Sequence, residues 1–323
     1  MHATQFSPHG LEDEIPHYPV LYQETIQFMK PRSGGYYVDG TLGAGGHAFG
    51  ILEASSPDGK LIGLDVDPQA LILAESRLSP FIGRYTIRRM SYTNFMESMQ
   101  ELGWVGVDGI LLDLGVSSMQ LDTVERGFSF QTDAPLDMRF DPDNPRNAED
   151  LVNDLSESEL ANLIYLYGEE RYSRRVSKAI IQARPLKTTQ QLASVIKQAI
   201  GSKYSGSRLH PATRTFQALR IAVNGELDAI GKVLPQAIHT LFPGGRLVVI
   251  AFHSLEDRLV KEFFRKESTD CLCPSQQPIC TCGHKASVQV ITRHPIQPGE
   301  AEIASNIRSR SARLRVVQKL PEF

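Results

Sequence analysis

Short apolar segments that end in acidic or glycine-rich turns alternate with amphipathic segments in the first third of the chain. The apolar segments predict strands, and the segments between them have helical spacing of their apolar residues. Strands that alternate with helices favour βαβ units, so this part of the chain is predicted to form a parallel sheet. The four predicted strands cover residues 36–40, 60–68, 85–92 and 108–116.

After Ser118 the strand pattern stops for about a hundred residues. Apolar residues recur at helical spacing there, and Ser156 is a plausible N-cap. Strand character returns at residues 244–254 and 312–320, so the helical block is predicted to be an insertion into one α/β domain. An earlier helix is predicted within residues 17–30.

Composition narrows the class of protein. Of the 323 residues, 41% are hydrophobic and 22% are charged, which is typical of a globular chain long enough for about two domains. These fractions exclude a disordered or fibrous protein. No apolar run approaches the roughly 20 residues that span a bilayer, and no basic, apolar and cleavable leader opens the chain. We therefore expect a cytosolic protein without membrane contact.

The net charge of −3 conceals an asymmetry along the chain. Residues 1–150 hold 10 basic against 22 acidic side chains, whereas residues 151–220 hold 11 basic against 5 acidic ones. A basic cluster such as residues 171–175 can neutralise nucleic-acid phosphates, and binding would then depend on salt. A solvated helix face would show the same pattern.

A glycine-rich turn follows the first predicted strand. The segment VDGTLGAGGH, residues 38–47, places glycines where backbone amides can approach a ligand at the start of a helix. Gly43, Gly45 and Ala48 match the G-x-G-x-x-A spacing of a dinucleotide turn, with Asp65 about 20 residues further on. A nicotinamide-dependent dehydrogenase is therefore one hypothesis.

Three predicted strands end in acidic residues, namely Asp39, Asp65 and Asp113. Since ligands bind outside the carboxyl ends of parallel strands, these carboxylates are predicted to meet in one crevice. Asp65 is placed to accept the hydroxyls of a ribose, while Asp67 is the alternative and also suits a helix cap before Pro68. Asp39 suits a ligand with a positive amino or sulfonium centre. Asp113, taken alone, also fits a loop carboxylate that accepts backbone N–H groups.

His253 ends the later strand and is predicted to line the same crevice, although a lone histidine is more often structural. Ser254 and Asp257 stand three residues apart, which predicts a capping box at the start of the following helix.

All the cysteines lie within residues 271–282. Four thiolates so close in sequence can surround a tetrahedral zinc ion with a structural role. The spacing is C-x-C twice rather than C-x-x-C twice, so a cytosolic loop of reduced cysteines is the alternative. The candidate ligands are Cys271, Cys273, Cys280 and Cys282.

Seven segments together carry a resemblance to a known family. They are DGTLGAGGH, LDVDP, DGILLDLGVSSMQLD, ERGFSF, PLDMR, RLHPATRTFQALRIAVNGEL and FHSLEDR. From about residue 17 to its C-terminus, the chain closely resembles the bacterial 16S ribosomal RNA cytosine N(4)-methyltransferase family of the MraW or RsmH type. The resemblance implies an S-adenosylmethionine-dependent enzyme with a seven-stranded, Rossmann-like α/β sheet. The implied domains are 1–120 and 221–323 for the two parts of the methyltransferase domain and 121–220 for an inserted all-helical, substrate-recognition domain.

The resemblance also implies site residues, position by position. Methyl transfer to an exocyclic amine needs groups that accept hydrogen bonds from its N–H groups. Many amine methyltransferases use a D-P-P-Y type loop there, whereas this chain reads DLGV, so both Asp113 and Asp137 are candidate acceptors. The implied cofactor-binding residues are Gly45, Gly46, His47, Asp65, Tyr92, Asp113 and Gln120.

The implied substrate is the decoding region of 16S rRNA in the small ribosomal subunit, which agrees with the basic cluster. Phe128 and Phe130 are candidates for stacking on a base, although two alternating aromatic residues also suit a core. The resemblance also allows a homodimer. The candidate RNA contacts are Phe128, Phe130, Arg139, Arg171, Arg174, Arg175, Arg214, Arg220 and His253.

Two other functions compete with the methyltransferase. The dehydrogenase hypothesis predicts hydride chemistry and binding of NAD. The other rival is a non-catalytic RNA-binding or assembly factor that retains a methyltransferase fold, and the intact cofactor positions argue against it.

Overall fold

A seven-stranded sheet forms the centre of the computed structural model, which describes residues 19–206, 209–274, 276–277 and 279–321. The strand order is β3-β2-β1-β4-β5-β7-β6. The strands are β1 (Tyr36–Asp39), β2 (Lys60–Asp65), β3 (Tyr85–Arg89), β4 (Val107–Asp113), β5 (Leu241–Ala251), β6 (Val288–Val290) and β7 (Arg313–Lys319).

The first five strands run parallel, while β7 is antiparallel to both β5 and β6. Parallel strands are covered on both faces, so their sequences are nearly continuous apolar runs. In β4, for example, Ile110, Leu111 and Leu112 are all fully buried. The six strands predicted from the sequence are confirmed. The prediction missed β6, because three residues are too few to show a period.

Helices connect the strands and fill the chain between β4 and β5. In the ranges that the structure describes they are α1 (Tyr22–Met29), α2 (Gly46–Ala54), α3 (Pro68–Leu78), α4 (Phe95–Glu101), α5 (Ser118–Asp122), α6 (Ala148–Asp154), α7 (Glu157–Gly168), α8 (Ser173–Ala183), α9 (Thr189–Ile200), α10 (Thr213–Asn224), α11 (Glu226–Thr240), α12 (Ser254–Glu267) and α13 (Glu300–Ser305).

Side-chain caps fix where several helices begin. Ser156 caps α7 as predicted, in a reciprocal capping box with Glu159. The prediction for α12 is wrong, because the N-cap is His253 and its capping-box partner is Glu256. The carboxylate of Glu256 accepts the N–H of His253 at 3.2 Å, whereas Asp257 is drawn away to Arg315 on β7.

The buried apolar side chains form separate clusters. Both faces of the sheet are packed, one around residues such as Ile110 and the other around residues such as Leu111. A further cluster lies among α6–α10 and draws its buried side chains from Leu136 to Val223. The helical block thus has an apolar cluster of its own, although the boundaries at 121–220 stay a prediction. Among the described residues, no helix combines the length and apolarity needed to span a membrane.

Candidate active site

A cleft of about 420 Å³ opens at the carboxyl ends of β1, β2 and β4. Asp65 and Asp113 line it, whereas Asp39 lies beneath its surface and is 1% exposed. The three carboxylates are near enough to influence one another electrostatically. Strand order explains this convergence, since β2, β1 and β4 are neighbours and run parallel.

The glycine turn after β1 forms one wall of the cleft. Gly43 and Gly45 have φ values of +51° and +77°, which lie in the left-handed region that favours glycine. At Gly46 a Cβ would stand 2.3 Å from Cγ of Pro19, so a side chain does not fit there. The turn therefore brings bare backbone to the cleft, and Gly45 leads directly into α2.

Asp65 anchors the turn to the end of β2. Its two carboxylate oxygens accept the N–H groups of Gly43 at 2.8 Å and of Asp67 at 2.9 Å. Burial raises the pKa of Asp65, and these hydrogen bonds partly offset that effect. Each oxygen keeps a second lone pair, so the carboxylate can still accept hydroxyl groups from a ligand.

Asp67 is a helix cap, which is the second of the two roles that the sequence allowed for it. It caps α3 by accepting the N–H of Gln69 at 3.0 Å. Its other oxygen accepts Nε2 of Gln120 at 3.0 Å and Nη1 of Arg126 at 2.7 Å. Asp67 is completely buried, so the geometry favours Asp65 as the residue that meets a ligand.

Buried polar atoms around the turn are left without partners. Asp39 Oδ2, both ring nitrogens of His47 and Asp113 Oδ1 have no hydrogen-bond partner among the described residues. Nε2 of His47 lies 3.6 Å from Oδ2 of Asp113. Burial raises the pKa of Asp39 to about 7, with the nearby His47 opposing the shift. Such unpaired atoms are rare in folded proteins, and here they mark a place where a ligand would complete the hydrogen bonding.

Tyr92 and Gln120 line the same cleft. Tyr92 follows β3, and burial raises the pKa of its phenol above the ordinary value. Gln120 uses both ends of its amide within the protein, since Oε1 accepts the N–H of Ser117 at 3.1 Å and Nε2 donates to Asp67. Gln120 thus fixes the loop after β4, and its contact with a cofactor stays a prediction.

A buried charged cluster forms the opposite wall. Arg220 donates two hydrogen bonds of 2.8 Å to Glu226, and Glu256 lies beside them, completely buried. His253 does not line the cleft itself, but its Nε2 lies 3.2 Å from Oε1 of Glu256. A Cβ on Gly115 would stand 3.7 Å from that oxygen, so the cluster packs directly behind the loop after β4.

Asp137 and Arg139 do not line the cleft, although Arg139 donates Nη1 to the carbonyl of Asn144, a residue that does line it, at 2.9 Å. Arg139 donates Nε and Nη2 to the two oxygens of Asp137, at 2.9 Å and 2.7 Å. Burial alone would raise the pKa of Asp137, but these hydrogen bonds leave it below the usual value. The carboxylate is therefore engaged within its own segment.

The two candidate stacking residues pack against the helical core. The ring of Phe130 lies between His210 and Phe216, with both centroids 4.8 Å away, and Phe128 stacks on Phe140 at 5.6 Å. These contacts account for both aromatics without a base, and base stacking stays a prediction.

Arginines just before α8 and in its first turn project from the helical block. Arg171, Arg174 and Arg175 are exposed, and the guanidinium of Arg171 lies over the ring of Tyr172 at 4.9 Å. Arg214 is further inside and donates to the backbone carbonyl of Glu169 at 2.7 Å. The exposed arginines form a free basic face, whereas Arg214 has a structural contact.

Arg126 is a site residue that the sequence reasoning missed. It donates to Asp67 and also to the carbonyls of Arg139 and Phe140, at 2.8 Å and 2.9 Å. It thereby ties the end of β2 to the segment that leads into the helical block. The signal in the sequence was its place in the motif ERGFSF, where an arginine can contact a nearby aromatic ring, and the guanidinium of Arg126 lies 5.9 Å from the ring centroid of Phe128.

The four cysteines come together in the loop between α12 and β6. Each sulfur lies within 4.8 Å of the others, and the separations include 3.4 Å for Cys271–Cys280, 3.6 Å for Cys280–Cys282 and 3.9 Å for Cys271–Cys282. The N–H of Thr281 donates to Sγ of Cys273 at 3.4 Å. The sequence cluster is therefore also a spatial cluster.

Sheet order and site together define a class of protein. A sheet in the order 3-2-1-4-5-7-6 with one antiparallel strand, a glycine turn after β1 and an acidic residue at the end of β2 is the Rossmann-like fold of methyltransferases.

Comparisons with known proteins agree with that class. The model of a family described as the MraW methylase family matches residues 14–320. Ribosomal RNA small subunit methyltransferase H of Citrifermentans bemidjiense is 53% identical over 311 residues, which cover 95% of this chain and 100% of that protein. The protein of the same name from Dehalococcoides mccartyi is 51% identical over 307 residues, covering 95% of this chain and 87% of its own.

A solved SAM-dependent O-methyltransferase from Thermotoga maritima aligns with 97% of this chain and 69% of its own, with a TM-score of 0.42 and 10% identity. The family match and the close relatives suffice: the chain belongs to the MraW methylase family and is a methyltransferase. The dehydrogenase hypothesis is thereby set aside.

Proposed function

We propose that this enzyme transfers a methyl group from S-adenosylmethionine to N(4) of a cytidine in the decoding region of 16S rRNA in the small ribosomal subunit. The observation that carries the proposal is the set of unpaired buried atoms on Asp39, His47 and Asp113 around the glycine turn. The family and the names of its close relatives support the ribosomal substrate.

The residues of the cleft fit the cofactor. S-adenosylmethionine supplies an electrophilic methyl group on a sulfonium centre. Asp65 would accept the ribose hydroxyls, and Tyr92 would cover one face of the adenine. Asp39 and Asp113 place negative charge beside the positive end of the cofactor, where burial strengthens the attraction.

Asp113 is our choice for the acceptor of the target amine. Its Oδ1 is unpaired and buried at the end of β4, and its backbone N–H is held by Oγ1 of Thr41 at 2.6 Å. Asp137, the other candidate, is engaged by Arg139 and does not line the cleft. A carboxylate fixed in this way can orient the amine and take up positive charge that develops on its nitrogen.

The exposed basic face of α8 is the proposed docking surface for RNA. Phosphate contacts by Arg171, Arg174 and Arg175 would release counterions, so affinity should fall steeply with salt. Replacing the three by glutamine should weaken binding of the small subunit and reduce the slope of log affinity against log salt by about 3. An unchanged slope would remove α8 from the interface.

The decisive experiment measures transfer of radiolabelled methyl to small subunits that lack the modification, followed by nucleoside analysis. Labelled N(4)-methylcytidine is expected with the wild type and not with Asp65→Ala, whereas Asp154→Asn, a change at an exposed carboxylate on α6, should behave as the wild type. Another labelled nucleoside would refute the target atom. Binding of cofactor without any label would favour the non-catalytic assembly factor.

The cysteine cluster is the proposed site of a structural zinc ion. Sulfur atoms about 2.3 Å from a tetrahedral centre stand about 3.8 Å apart. The sulfurs of Cys271, Cys280 and Cys282 are 3.4 Å to 3.9 Å from one another, and that of Cys273 lies within 4.8 Å of them. The purified protein should carry one zinc per chain by elemental analysis, and Cys280→Ser should lose it. Protein that stays metal-free after reconstitution would support a loop of reduced cysteines.

The proposed substrate also sets the location of the enzyme, since ribosomal subunits are assembled in the bacterial cytoplasm. Homodimerisation stays a prediction from the resemblance, and sedimentation would test it.

A further inference from the structure

The cleft continues past Asp113 to Gly115 and Phe252, which lie beyond the ends of two neighbouring strands. Asp113 on β4 pairs with Ile250 on β5, and the two strands are parallel. The segments that follow β4 and β5 therefore begin side by side, directly next to Asp113.

A small open space lies beside Gly115. This residue has a φ of +93°, in the left-handed region that favours glycine. A Cβ built there would stand 3.7 Å from Oε1 of Glu256, and 3.8 Å from Nη2 of Arg220 and from Cδ2 of Phe252. These residues all line the cleft, so an atom of a ligand at this point would meet a carboxylate, a guanidinium and an aromatic ring together.

Glu256 offers an acceptor to this space. Its side chain is completely buried, and Oε2 accepts the backbone N–H groups of Phe252 at 2.8 Å and of His253 at 3.2 Å. Oε1 has no hydrogen-bond partner among the described residues, because Nε2 of His253, 3.2 Å away, does not have the direction of a hydrogen bond. A buried acceptor without a partner is unfavourable, and an N–H group of a ligand would relieve that cost.

Arg220 places a donor beside that acceptor. Its Nε and Nη2 each donate one hydrogen bond of 2.8 Å to Glu226, which holds the guanidinium in place. Within the described ranges the hydrogen bonds of this guanidinium go only to Glu226. A guanidinium has five N–H groups, so Nη2 keeps a second one for a ligand in the cleft.

An acceptor next to a donor matches the Watson–Crick edge of cytosine. Cytosine presents an N–H group of its amine beside N3, which accepts, whereas uracil presents the acceptor O4 beside the donor N3–H. Glutamate is a common acceptor for the amine of cytosine. Bases that are splayed out of RNA are bound through this edge and through contact of their flat face with an aromatic ring. The space beside Gly115 therefore has the donor, acceptor and ring that a cytosine requires.

We propose that Glu256 and Arg220 recognise the target base, with Oε1 of Glu256 accepting one N–H group of the exocyclic amine and Nη2 of Arg220 donating to ring N3. The assignment rests on the proposed function, in which Asp113 accepts the other N–H group of that amine. Acceptors for both N–H groups would hold the amine in one orientation for methyl transfer. The pair also excludes uracil, because uracil presents the opposite pattern to both side chains.

Small subunits with uridine in place of the target cytidine can test the assignment. Binding is measured with S-adenosylhomocysteine present, so that no methyl group is transferred. The wild type should bind cytidine subunits at least about fivefold more tightly than uridine subunits, which is the lower end of what a good base contact provides.

Glu256→Gln keeps an oxygen for the backbone N–H groups of Phe252 and His253 and turns Oε1 into a donor. The variant should bind the two kinds of subunit within about twofold of each other. Its kcat on cytidine subunits should fall at least about tenfold, while its affinity for S-adenosylhomocysteine stays that of the wild type. The control is Glu262→Gln, an exposed position on α12 that does not line the cleft and should behave as the wild type.

The outcomes separate the two proposals. If the wild type labels a nucleoside other than N(4)-methylcytidine, the proposed function fails and the assignment fails with it. If N(4)-methylcytidine forms but the wild type binds both kinds of subunit equally, or Glu256→Gln keeps the wild-type preference, the assignment is refuted and the function stands. Should Glu256→Gln not fold, Glu256→Asp decides, because it keeps the charge beside Arg220 and draws the carboxylate back by one methylene. A folded Glu256→Asp with the full preference for cytidine would likewise overturn the assignment.

Discussion

The buried carboxyl group of Asp39 makes the stability of the ligand-free protein depend on pH. Burial raises its pKa from the ordinary 3.8 to about 7. At pH values between these two pKa values, the folded state therefore keeps this carboxyl group protonated, whereas the unfolded state has released the proton. The stability that this group contributes is fully present below pH 3.8 and is lost as the pH rises through about 7. A shift of about three units corresponds to about 4 kcal/mol at high pH.

Asp39→Asn removes the charge and keeps an oxygen for the N–H of Thr41, which donates to Asp39 Oδ1 at 3.2 Å. From the two pKa values, the stability of the variant relative to the wild type should rise by about 2–3 kcal/mol between about pH 5 and pH 8. Urea unfolding of both proteins without ligand measures this difference. Asp154→Asn, at an exposed carboxylate, should show no comparable trend. A stability difference between Asp39→Asn and the wild type that does not change with pH would refute the reasoning. The same variant should bind the cofactor more weakly, because the positive end of the cofactor loses a charged partner.

Two further stability predictions concern the turn and the charged wall. Gly45→Ala should destabilise the protein by about 1–2 kcal/mol, because an L side chain is strained in the left-handed region. Gly231→Ala in α11, where a Cβ meets nothing within 4 Å, should stabilise it by up to about 1 kcal/mol. Equal melting temperatures for the two variants would contradict this. Arg220→Met should cost about 3–5 kcal/mol by leaving Glu226 buried without its ion pair, and adding Glu226→Gln should restore part of the loss. If denaturant curves show that the losses of unfolding free energy for Arg220→Met and Glu226→Gln simply add in the double variant, the two residues are not coupled.

Some strands of the sheet could be predicted from the sequence and others could not. β1 to β4 stand between glycine-rich or acidic turns, and their burial on both faces leaves uninterrupted apolar runs. β6 has three residues and gave no signal. The start of α12 was misplaced by one residue, because Ser254 and Asp257 have the spacing of a capping box while the competing contact from Asp257 to Arg315 lies 58 residues away in the chain.

Local patterns by themselves determined the α/β class, the helical insertion, the glycine turn and the acids at the strand ends. Each of these depends on neighbours in the sequence, since a helix or strand records its buried face in its own period. The tertiary structure alone decided which of these acids are free for a ligand. Asp67 proved to be engaged by Arg126, which is 59 residues away in the chain, whereas Asp39 and Asp113 keep unpaired oxygens. Burial and the partners of a charge are set by segments that meet only in the folded chain, and no local pattern contains them.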